Sequence, residues 1–328
     1  MLDRAYGALV GGAIGDAMGM PASFLTRRQI TNTYGYIRDF LEPDQDIQTY
    51  HGSLQAGAIT DDTMESVIIS QVLIQHGEFS EDAFHAAMKK WAIEQKMLES
   101  TVIGPSTRRY LTALVEGRDP KLTAGKGMTN GSAMRVAPIG IRYHDNLSKC
   151  MEAAASSSLP SHGSQPAVAA ACAVAVGVAL GVHGGYTPRD ILRAAADAAA
   201  YGERVGTEVT APSVSRRLKL IETVVDQAKD TDISSVLDEL VAIFGASMMS
   251  YESVSIAFGA FYAAGGHGAK GVLAAINAGD DADTNGSICG NLCGAYSGAA
   301  SFPLEWRIRV EKSSGLDFKH TAQSLLSD

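Results

Sequence analysis

The chain has 328 residues, of which 46% are hydrophobic and 7% aromatic, and its formal net charge is −9. This length allows one large domain or two with a deep core, and the abundance of alanine and glycine over aromatic residues favours closely packed helices rather than sheets. The acidic balance, without a basic stripe, argues against nucleic acid or an anionic membrane as the main partner.

The cysteines and the chain start bear on the cellular compartment. The four cysteines show no zinc-ligand spacing, so we expect buried thiols, and the start Met1–Arg4 lacks a signal-peptide profile. The best candidate for a membrane segment, Pro166–Val182, is short, rich in alanine and only mildly apolar, which favours a buried helix. We therefore predict a protein of the reducing cytoplasm that spans no membrane.

The first predicted helix, Arg4–Met20, carries a glycine at every fourth position, and the segment that begins at Gly286 repeats this spacing. Glycine inside a helix costs about 1 kcal/mol relative to alanine, so two such rows need compensation. Residues four apart form the ridge along which helices pack, and glycine there lets a second backbone approach closely. We predict two core helices whose rows could face each other. Asp16 brings a carboxylate near this core, as a structural hydrogen-bonding group or behind a ligand site.

From Pro21 to Gln55 the pattern fades into a long irregular loop, a type of segment that is often functional. It ends before the segment Thr60–Thr63 (Thr-Asp-Asp-Thr), which starts an amphipathic helix. Helix capping is one explanation, with Asp62 as the capping residue and Glu65 as its capping-box partner. Acidic side chains at this position also suit the helix dipole. The segment becomes a candidate ligand site only beside a second one like it.

The second such segment, Gly279–Ser287, contains the pattern Asp-x-Asp-Thr and runs into an almost wholly apolar helix. It matches the first half of an EF-hand loop, but the twelfth position is Leu292 instead of glutamate, so we reject that type of calcium loop. Together the two segments offer six hard oxygen ligands, which suit Mg²⁺ or Mn²⁺, and enough carboxylates for two ions. The predicted ligands are Thr60, Asp61, Asp62, Asp281, Asp283 and Thr284.

Two segments between these clusters are candidates for ligand contact. The glycine-rich stretch Thr123–Met134 either presents backbone amides to a phosphate or forms a plain turn. His162 either faces a ligand or caps the helix that follows it, and the apolar stretch Cys172–Val182 predicts a central helix. Because no β-alternation, βαβ pattern or linker appears, the sequence predicts one all-α domain over residues 1–328.

With both acidic segments in view, the sequence resembles the ADP-ribosylglycohydrolase family, which includes the hydrolase that removes ADP-ribose from dinitrogen reductase. The similarity runs from Tyr6 to about Trp306, nearly the whole chain. It is carried by the segments Gly7–Ala17, Ile59–Thr63, Asn130–Pro138, Ser161–His162 and Gly279–Thr284. The resemblance implies an all-α fold and a two-metal centre on the six ligands named above. In the family, the metals hold the ribose diol and a water near the anomeric carbon.

The resemblance also implies which residues contact the substrate. Asn130, Ser132 and Met134 fall where relatives line the ADP-ribose pocket, and His162 falls where they have a Thr-His or Ser-His pair. One position departs from the family. Many ADP-ribosyl hydrolases have a glutamate that points into the site where this chain has Ser23. A serine cannot act as a carboxylate base, so this departure bears on the identity of the substrate more than on hydrolysis.

These inferences lead to a hypothesis of function. We expect hydrolysis of a glycosidic bond at ribose C1, foremost in an ADP-ribosyl adduct. Two Mg²⁺ or Mn²⁺ ions would acidify a water, and Asp61 or Asp283 would accept its proton. Two alternatives stay open. One is hydrolysis of a smaller ribosyl N-glycoside such as a nucleoside, which Ser23 motivates; the other is a non-catalytic structural role like that of the lens crystallins related to this family.

Overall fold

The chain folds mainly into helices. A computed structural model describes residues 1–228 and 231–327, and in these ranges it contains eighteen α-helices, two short 3₁₀ turns and no β-sheet. The prediction of an all-α fold is confirmed. The α-helices, in chain order, are α1 (Leu2–Gly19), α2 (Arg27–Tyr34), α3 (Asp61–His76), α4 (Glu81–Glu94), α5 (Pro105–Val115), α6 (Lys121–Ala124), α7 (Gly131–Met134), α8 (Ala137–Arg142), α9 (Leu147–Ser158), α10 (Gln165–His183), α11 (Pro188–Val205), α12 (Val214–Gln227), α13 (Ile233–Phe244), α14 (Ser250–Ala263), α15 (Gly268–Ile276), α16 (Ala282–Ser297), α17 (Leu304–Ser314) and α18 (Phe318–Leu326).

The two glycine rows face each other along the antiparallel pair α1 and α16. The opposed pairs are Gly7 with Gly294, Gly11 with Gly290, and Gly15 with Gly286. A Cβ atom added at Gly11 would lie 2.5 Å from the carbonyl oxygen of Gly290, which is closer than van der Waals contact allows. Because these positions have no side chains, the two backbones touch, and this packing offsets the poor helix propensity of glycine.

The apolar stretch that was expected to form a buried helix is α10, which is buried on all sides. Its length and composition alone would permit a membrane span, but 94% of its apolar window is buried inside the protein. Helices α8, α9, α11 and α16 pack around it, and apolar side chains from α1 to α18 form one continuous core. All four cysteines are buried free thiols, as predicted.

The antiparallel pairing brings the C-terminal end of α1 and the N-terminal end of α16 to one place. There the loop after α1 is joined to the loop before α16 by hydrogen bonds from Phe24 N to Asp280 O (2.5 Å) and from Asp280 N to Leu25 O (2.7 Å). Phe24 and Asp280 both have left-handed backbones, with φ of 64° and 55°. Such conformations are costly for non-glycine residues and concentrate at functional sites. The next residue, Asp281, is the N-cap residue of α16.

Candidate active site

The first acidic segment opens α3. Thr60 is the N-cap residue, and its hydroxyl accepts a hydrogen bond from the Asp62 amide at 3.4 Å. Asp62 therefore does not cap the helix, and Glu65 pairs with Arg135 instead of closing a capping box. The carboxylates of Asp61 and Asp62 line a cleft. Capping alone does not account for two buried acids at this helix start.

Asp16 holds this helix start from behind. Its buried carboxylate accepts hydrogen bonds from the backbone amides of Thr60 (3.0 Å) and Thr63 (3.2 Å) and from the hydroxyls of the same two residues (2.9 and 2.5 Å). Burial raises the pKa of the Asp16 carboxyl to about 6, although these hydrogen bonds oppose the rise. Asp16 therefore fixes the first turn of α3 against the end of α1. Of its two predicted roles, this is the structural hydrogen-bonding one.

Replacement of Asp16 by asparagine is expected to destabilise the protein. The amide keeps the size of the side chain but turns an NH₂ group toward donors on α3, so buried N–H and O–H groups lose their acceptor. We expect the free energy of unfolding, measured by urea denaturation near neutral pH, to fall by about 1–3 kcal/mol. The exposed Asp145 provides a control, since Asp145→Asn should change it by less than about 0.5 kcal/mol. Equal changes in both variants would refute the role given to Asp16.

The second acidic segment opens α16. Asp281 is the N-cap residue, and its Oδ2 accepts a hydrogen bond from Asn130 Nδ2 at 2.5 Å. Asp283 Oδ1 accepts one from the Thr284 amide at 3.0 Å. The Thr284 hydroxyl donates to Asp62 Oδ2 at 3.4 Å across 222 residues of sequence. The two acidic segments therefore meet in space.

Their meeting point is a narrow cleft of about 50 Å³, smaller than the range of about 300–1,000 Å³ for ligand pockets. Its polar lining includes Asp61, Asp62, Asp281, Asp283 and Thr284. Its apolar lining consists of Phe24, Val102, Met134 and Met248. Thr60, the remaining predicted ligand, lies just behind this lining, and its hydroxyl is 3.3 Å from Asp62 Oδ2. A wider surface depression of about 710 Å³ beside Arg142 contains no buried carboxylate.

The carboxylates of the cleft carry more negative charge than their surroundings neutralise. Burial raises the pKa of Asp61, Asp62 and Asp281 well above the ordinary value, and neighbouring carboxylates add to the rise. Burial also acts to raise the pKa of Asp283, but hydrogen bonds, foremost one with His51, outweigh it and lower that pKa. No lysine or arginine occurs among the described residues that line the cleft. Desolvated charges of this kind need a cationic partner.

The donor chemistry of this cluster fits a divalent cation. Every predicted ligand offers a carboxylate or hydroxyl oxygen, the type that Mg²⁺ and Mn²⁺ prefer. Asp62 Oδ1 is buried without a hydrogen-bond partner, and the Thr60 hydroxyl donates its proton to Asp16 Oδ1, which leaves a lone pair available. In the described part of the chain, no three His, Cys, Asp or Glu side chains already converge as ligands of one ion. The roles of the six residues as ligands stay a prediction.

The residues expected to contact the substrate fall into two groups. Asn130 and Met134 line the cleft, where Asn130 is held by its hydrogen bond to Asp281. Ser132 and His162 are fully buried and do not line it. The Ser132 hydroxyl donates to a backbone carbonyl of α10 at 3.3 Å. Direct contact between substrate and these two buried residues stays a prediction.

His162 supports the Asn130 loop from behind. Its Nδ1 lies 2.7 Å from Ser161 Oγ, and its Nε2 is buried against Gly131, where an added Cβ would lie 2.8 Å from that nitrogen. Helix α10 has Ser164 as its N-cap residue, so His162 does not cap it. Burial is the main reason that the pKa of His162 is lowered well below its ordinary value. The ring is therefore neutral near physiological pH.

Two residues of the cleft received no role from the sequence, namely His51 and Phe24. His51 is 2% exposed, and its Nε2 lies 3.2 Å from Asp283 Oδ2. The Phe24 ring lies 4.7 Å from that of Tyr50. Ser23, which the resemblance aligns with a glutamate of many relatives, is buried, and its hydroxyl donates to a carbonyl of α1 at 3.4 Å. The length of the loop was the one available signal, because an irregular pattern does not indicate which residues turn inward.

Comparisons with known proteins agree with this architecture. Residues 1–328 match the family model described as ADP-ribosylglycohydrolase. An uncharacterized protein of Archaeoglobus fulgidus is 29% identical over 314 residues, which covers 94% of this chain and 90% of that protein. ADP-ribosylarginine hydrolase Tri1 of Pseudomonas putida is 27% identical over 323 residues, which covers 95% of this chain and 74% of the hydrolase.

A likeness to a solved structure supports the fold independently. The structure of an ADP-ribosylglycohydrolase-related protein complex matches with a TM-score of 0.71 at 23% identity, and the match covers 99% of this chain and 97% of that one. At this identity the likeness bears on the fold alone. The family match over the full chain confirms the resemblance seen in the sequence motifs. The chain belongs to the ADP-ribosylglycohydrolase family.

Proposed function

We propose that this chain hydrolyses a glycosidic bond at C1 of a ribosyl group, in an ADP-ribosyl compound, within the acidic cleft. The observation that supports the proposal is the meeting of the two acidic segments at Asp62, whose Oδ2 accepts a hydrogen bond from the Thr284 hydroxyl at 3.4 Å and lies 3.3 Å from the Thr60 hydroxyl oxygen. A relative named as an ADP-ribosylarginine hydrolase supports the ADP-ribosyl group as substrate. The four free thiols suit the reducing cytoplasm, where we propose that the protein acts.

The proposal includes two Mg²⁺ or Mn²⁺ ions, which the six oxygen ligands at the starts of α3 and α16 would hold. When bound, they would hold the ribose diol and lower the pKa of a water. Asp61 lines the cleft without a side-chain hydrogen bond to its carboxylate among the described residues, so it is placed to accept a proton from that water. Both Asp283 oxygens are engaged, by the Thr284 amide and by His51. Asp283 is therefore the carboxylate held in position.

The remaining carboxylates act on the sugar through their charge. Cleavage at C1 passes through a transition state with positive charge on the ribose ring. Preorganised negative charge in a buried site stabilises such a state more strongly than water does. Asp62 and Asp281, both less than 5% exposed, supply that charge next to the proton acceptor.

A hydrolysis assay tests the proposal. The purified protein is incubated with ADP-ribosyl-arginine, and the release of ADP-ribose is followed by chromatography. We expect release in the presence of Mg²⁺ or Mn²⁺, loss of release after treatment with a chelator, and recovery when the metal is restored. Release that resists chelation, or no release from any ribosyl compound in the presence of metal, would overturn the proposal.

A second candidate substrate is a smaller ribosyl N-glycoside such as a nucleoside, which the lining of the cleft favours. Ser23 supplies no carboxylate where the resemblance implies a glutamate in relatives, and the Phe24 ring in the cleft lining offers a flat apolar surface for a base. Among the described lining residues, none is a lysine or arginine that would pair with a pyrophosphate. The ratio of kcat/KM for adenosine or uridine to that for ADP-ribosyl-arginine separates the two candidates, and a ratio above one selects the nucleoside.

Thermal unfolding should depend on pH in a direction set by the raised pKa values. Asp16 (pKa about 6), Asp61, Asp62 and Asp281 all have higher pKa values in the fold than the reference value of 3.8. The folded state therefore binds more protons, and the stability from this source is complete below the reference value and lost as the pH rises through the folded-state values. We expect the metal-free protein to unfold at a lower temperature at pH about 7.5 than at pH about 5.5.

Differential scanning calorimetry of the chelator-treated protein measures this effect. Because a bound divalent cation favours the ionised carboxylates, saturating Mn²⁺ should raise the unfolding temperature more at the higher pH than at the lower one. A metal-free unfolding temperature that rises between the two pH values would show that the buried carboxylates do not control stability here.

A further inference from the structure

Arg135 is a fully buried arginine that the proposed mechanism does not use. Its Nη1 donates to Glu65 Oε2 at 2.6 Å, and both side chains are inaccessible to solvent. Its Nη2 donates to Ser157 O at 2.9 Å and to Ser161 Oγ at 2.8 Å, and its guanidinium lies 4.9 Å from the centre of the Phe84 ring. Buried ion pairs seldom stabilise a fold more than apolar side chains of similar size do. This pair therefore calls for an explanation other than stability.

One arm of this network reaches the first acidic segment. Glu65 lies on α3 one helical turn after Asp61, and a helix transmits the position of one turn rigidly to the next. The ion pair with Arg135 therefore restrains the rotation of α3 about its axis one turn beyond the part that Asp16 holds. That rotation decides whether the carboxylates of Asp61 and Asp62 point into the cleft.

The other arm reaches the second acidic segment. Ser161 Oγ, which accepts a hydrogen bond from Arg135, lies 2.7 Å from His162 Nδ1. The far edge of the imidazole is packed against Gly131, where an added Cβ would lie 2.8 Å from Nε2. The neighbouring Asn130 donates to Asp281 Oδ2 at 2.5 Å. An unbroken chain of contacts thus joins the helix that carries one acidic segment to the carboxylate that opens the other.

We propose that Arg135 is a positioning residue that sets the separation of the two acidic segments, by bracing α3 through Glu65 and the Asn130 loop through Ser161 and His162. The inference rests on the proposed function, because it concerns the geometry in which the cleft oxygens meet a divalent cation. It also gives a role to His162, which lies outside the cleft. Loss of a partner that orients metal ligands lowers metal affinity by about 10–100-fold.

Mn²⁺ binding by isothermal titration calorimetry tests the proposal. Arg135→Lys keeps a positive charge opposite Glu65 but loses the forked contacts, whereas the double variant Glu65→Met with Arg135→Met removes both charges and keeps the space filled with apolar atoms. We expect both to bind Mn²⁺ about 10–100-fold more weakly than the parent. A purely structural role would lower the unfolding temperature of these variants but leave the Mn²⁺ affinity of the folded protein unchanged.

Arg217→Lys is the matched control. Arg217 is half-buried, donates to backbone carbonyls and stacks on the Phe244 ring, and it does not line the cleft. Its replacement removes contacts to backbone carbonyls and an aromatic ring, as Arg135→Lys does, without affecting the chain of contacts between the acidic segments. We expect Arg217→Lys to bind Mn²⁺ as tightly as the parent.

Hydrogen exchange of the metal-free proteins, read by mass spectrometry, tests the same claim without metal or turnover. In Arg135→Lys we expect faster exchange in peptides that cover residues 60–63 and 129–131, with no change there in Arg217→Lys. Unchanged Mn²⁺ affinity in both Arg135 variants, each folded by circular dichroism, overturns the proposal. If the parent itself binds no Mn²⁺, the proposed function is wrong, and the role of Arg135 is then judged from hydrogen exchange alone. In that case, faster exchange in Arg135→Lys that is confined to residues 157–162 would reject the positioning role.

Discussion

Alanine in place of Asp62 is expected to abolish metal-dependent hydrolysis and to leave the protein folded. Asp62 Oδ2 is the atom at which the hydroxyls of Thr60 and Thr284 meet, and its Oδ1 is buried without a partner. Removal of this carboxylate deletes a predicted ligand at the junction of both acidic segments. Asp283→Ala should act similarly. We expect each to lower kcat by at least about 10²–10³-fold, the scale of one preorganised electrostatic contact.

The stability of the Asp62→Ala variant separates a functional loss from a folding defect. The pKa of Asp62 is raised by burial and by neighbouring carboxylates, so its ionised form is a cost to the metal-free fold near neutral pH. The metal-free variant should therefore unfold at a temperature no lower than that of the parent. Turnover that survives in Asp62→Ala or Asp283→Ala would remove the acidic cleft from the mechanism.

Asp280→Asn provides a matched control for these substitutions. Asp280 belongs to the second acidic segment but does not line the cleft, and asparagine tolerates its φ of 55°. Its carboxylate should therefore be dispensable. We expect this variant to keep the metal dependence and turnover of the parent. The loss of activity in Asp62→Ala and Asp283→Ala would then result from their positions in the cleft and not from the removal of a nearby negative charge.

Gly290→Ala should cause a large loss of stability by forcing α1 and α16 apart. An added Cβ would overlap the carbonyl group of Gly11 on the facing helix. The obstruction is backbone, and α1 cannot withdraw there without also opening its contacts at Gly7 and Gly15. We expect the free energy of unfolding to fall by about 3 kcal/mol, the upper end of the usual range for an overpacked core.

Urea denaturation of Gly290→Ala beside Gly104→Ala measures this effect. Gly104 has φ of −69° and no atom within 4 Å of an added Cβ, so alanine fits there without overlap, and because Gly104 is the N-cap residue of α5 the change should cost no more than about 1 kcal/mol. Equal stability of the two variants would mean that the helices pack at a greater separation than the glycine rows indicate.

The features that the sequence predicts well are those with a visible period or cluster. The glycine rows of α1 and α16 stand out because glycine at every fourth helical position is unfavourable unless a second backbone lies against it. The segments Thr60–Thr63 and Gly279–Ser287 stand out because buried acids at two helix starts need a shared partner. Each of these inferences follows from local composition and requires no knowledge of the chain path.

Other features depend on the chain path and could not be read from local pattern. His51 lies in a loop without periodicity, and it reaches Asp283 only because that loop folds back over the end of α1. The sequence does not indicate whether His162 faces the cleft or supports its wall. In the structure the imidazole packs against the backbone of Gly131, where a larger residue would not leave room for it. Arg135 lies in the segment Asn130–Pro138, which carries part of the family resemblance, but its partner Glu65 is 70 residues away.

The central claim is that the two acidic segments hold divalent cations together, and the most direct measurement is anomalous diffraction from crystals soaked in Mn²⁺. We predict two anomalous peaks in the cleft, each within about 2.0–2.4 Å of oxygens from both segments, as expected for hard cations with oxygen ligands. Peaks that contact only one segment, or a cleft without anomalous density at saturating Mn²⁺, would contradict the claim.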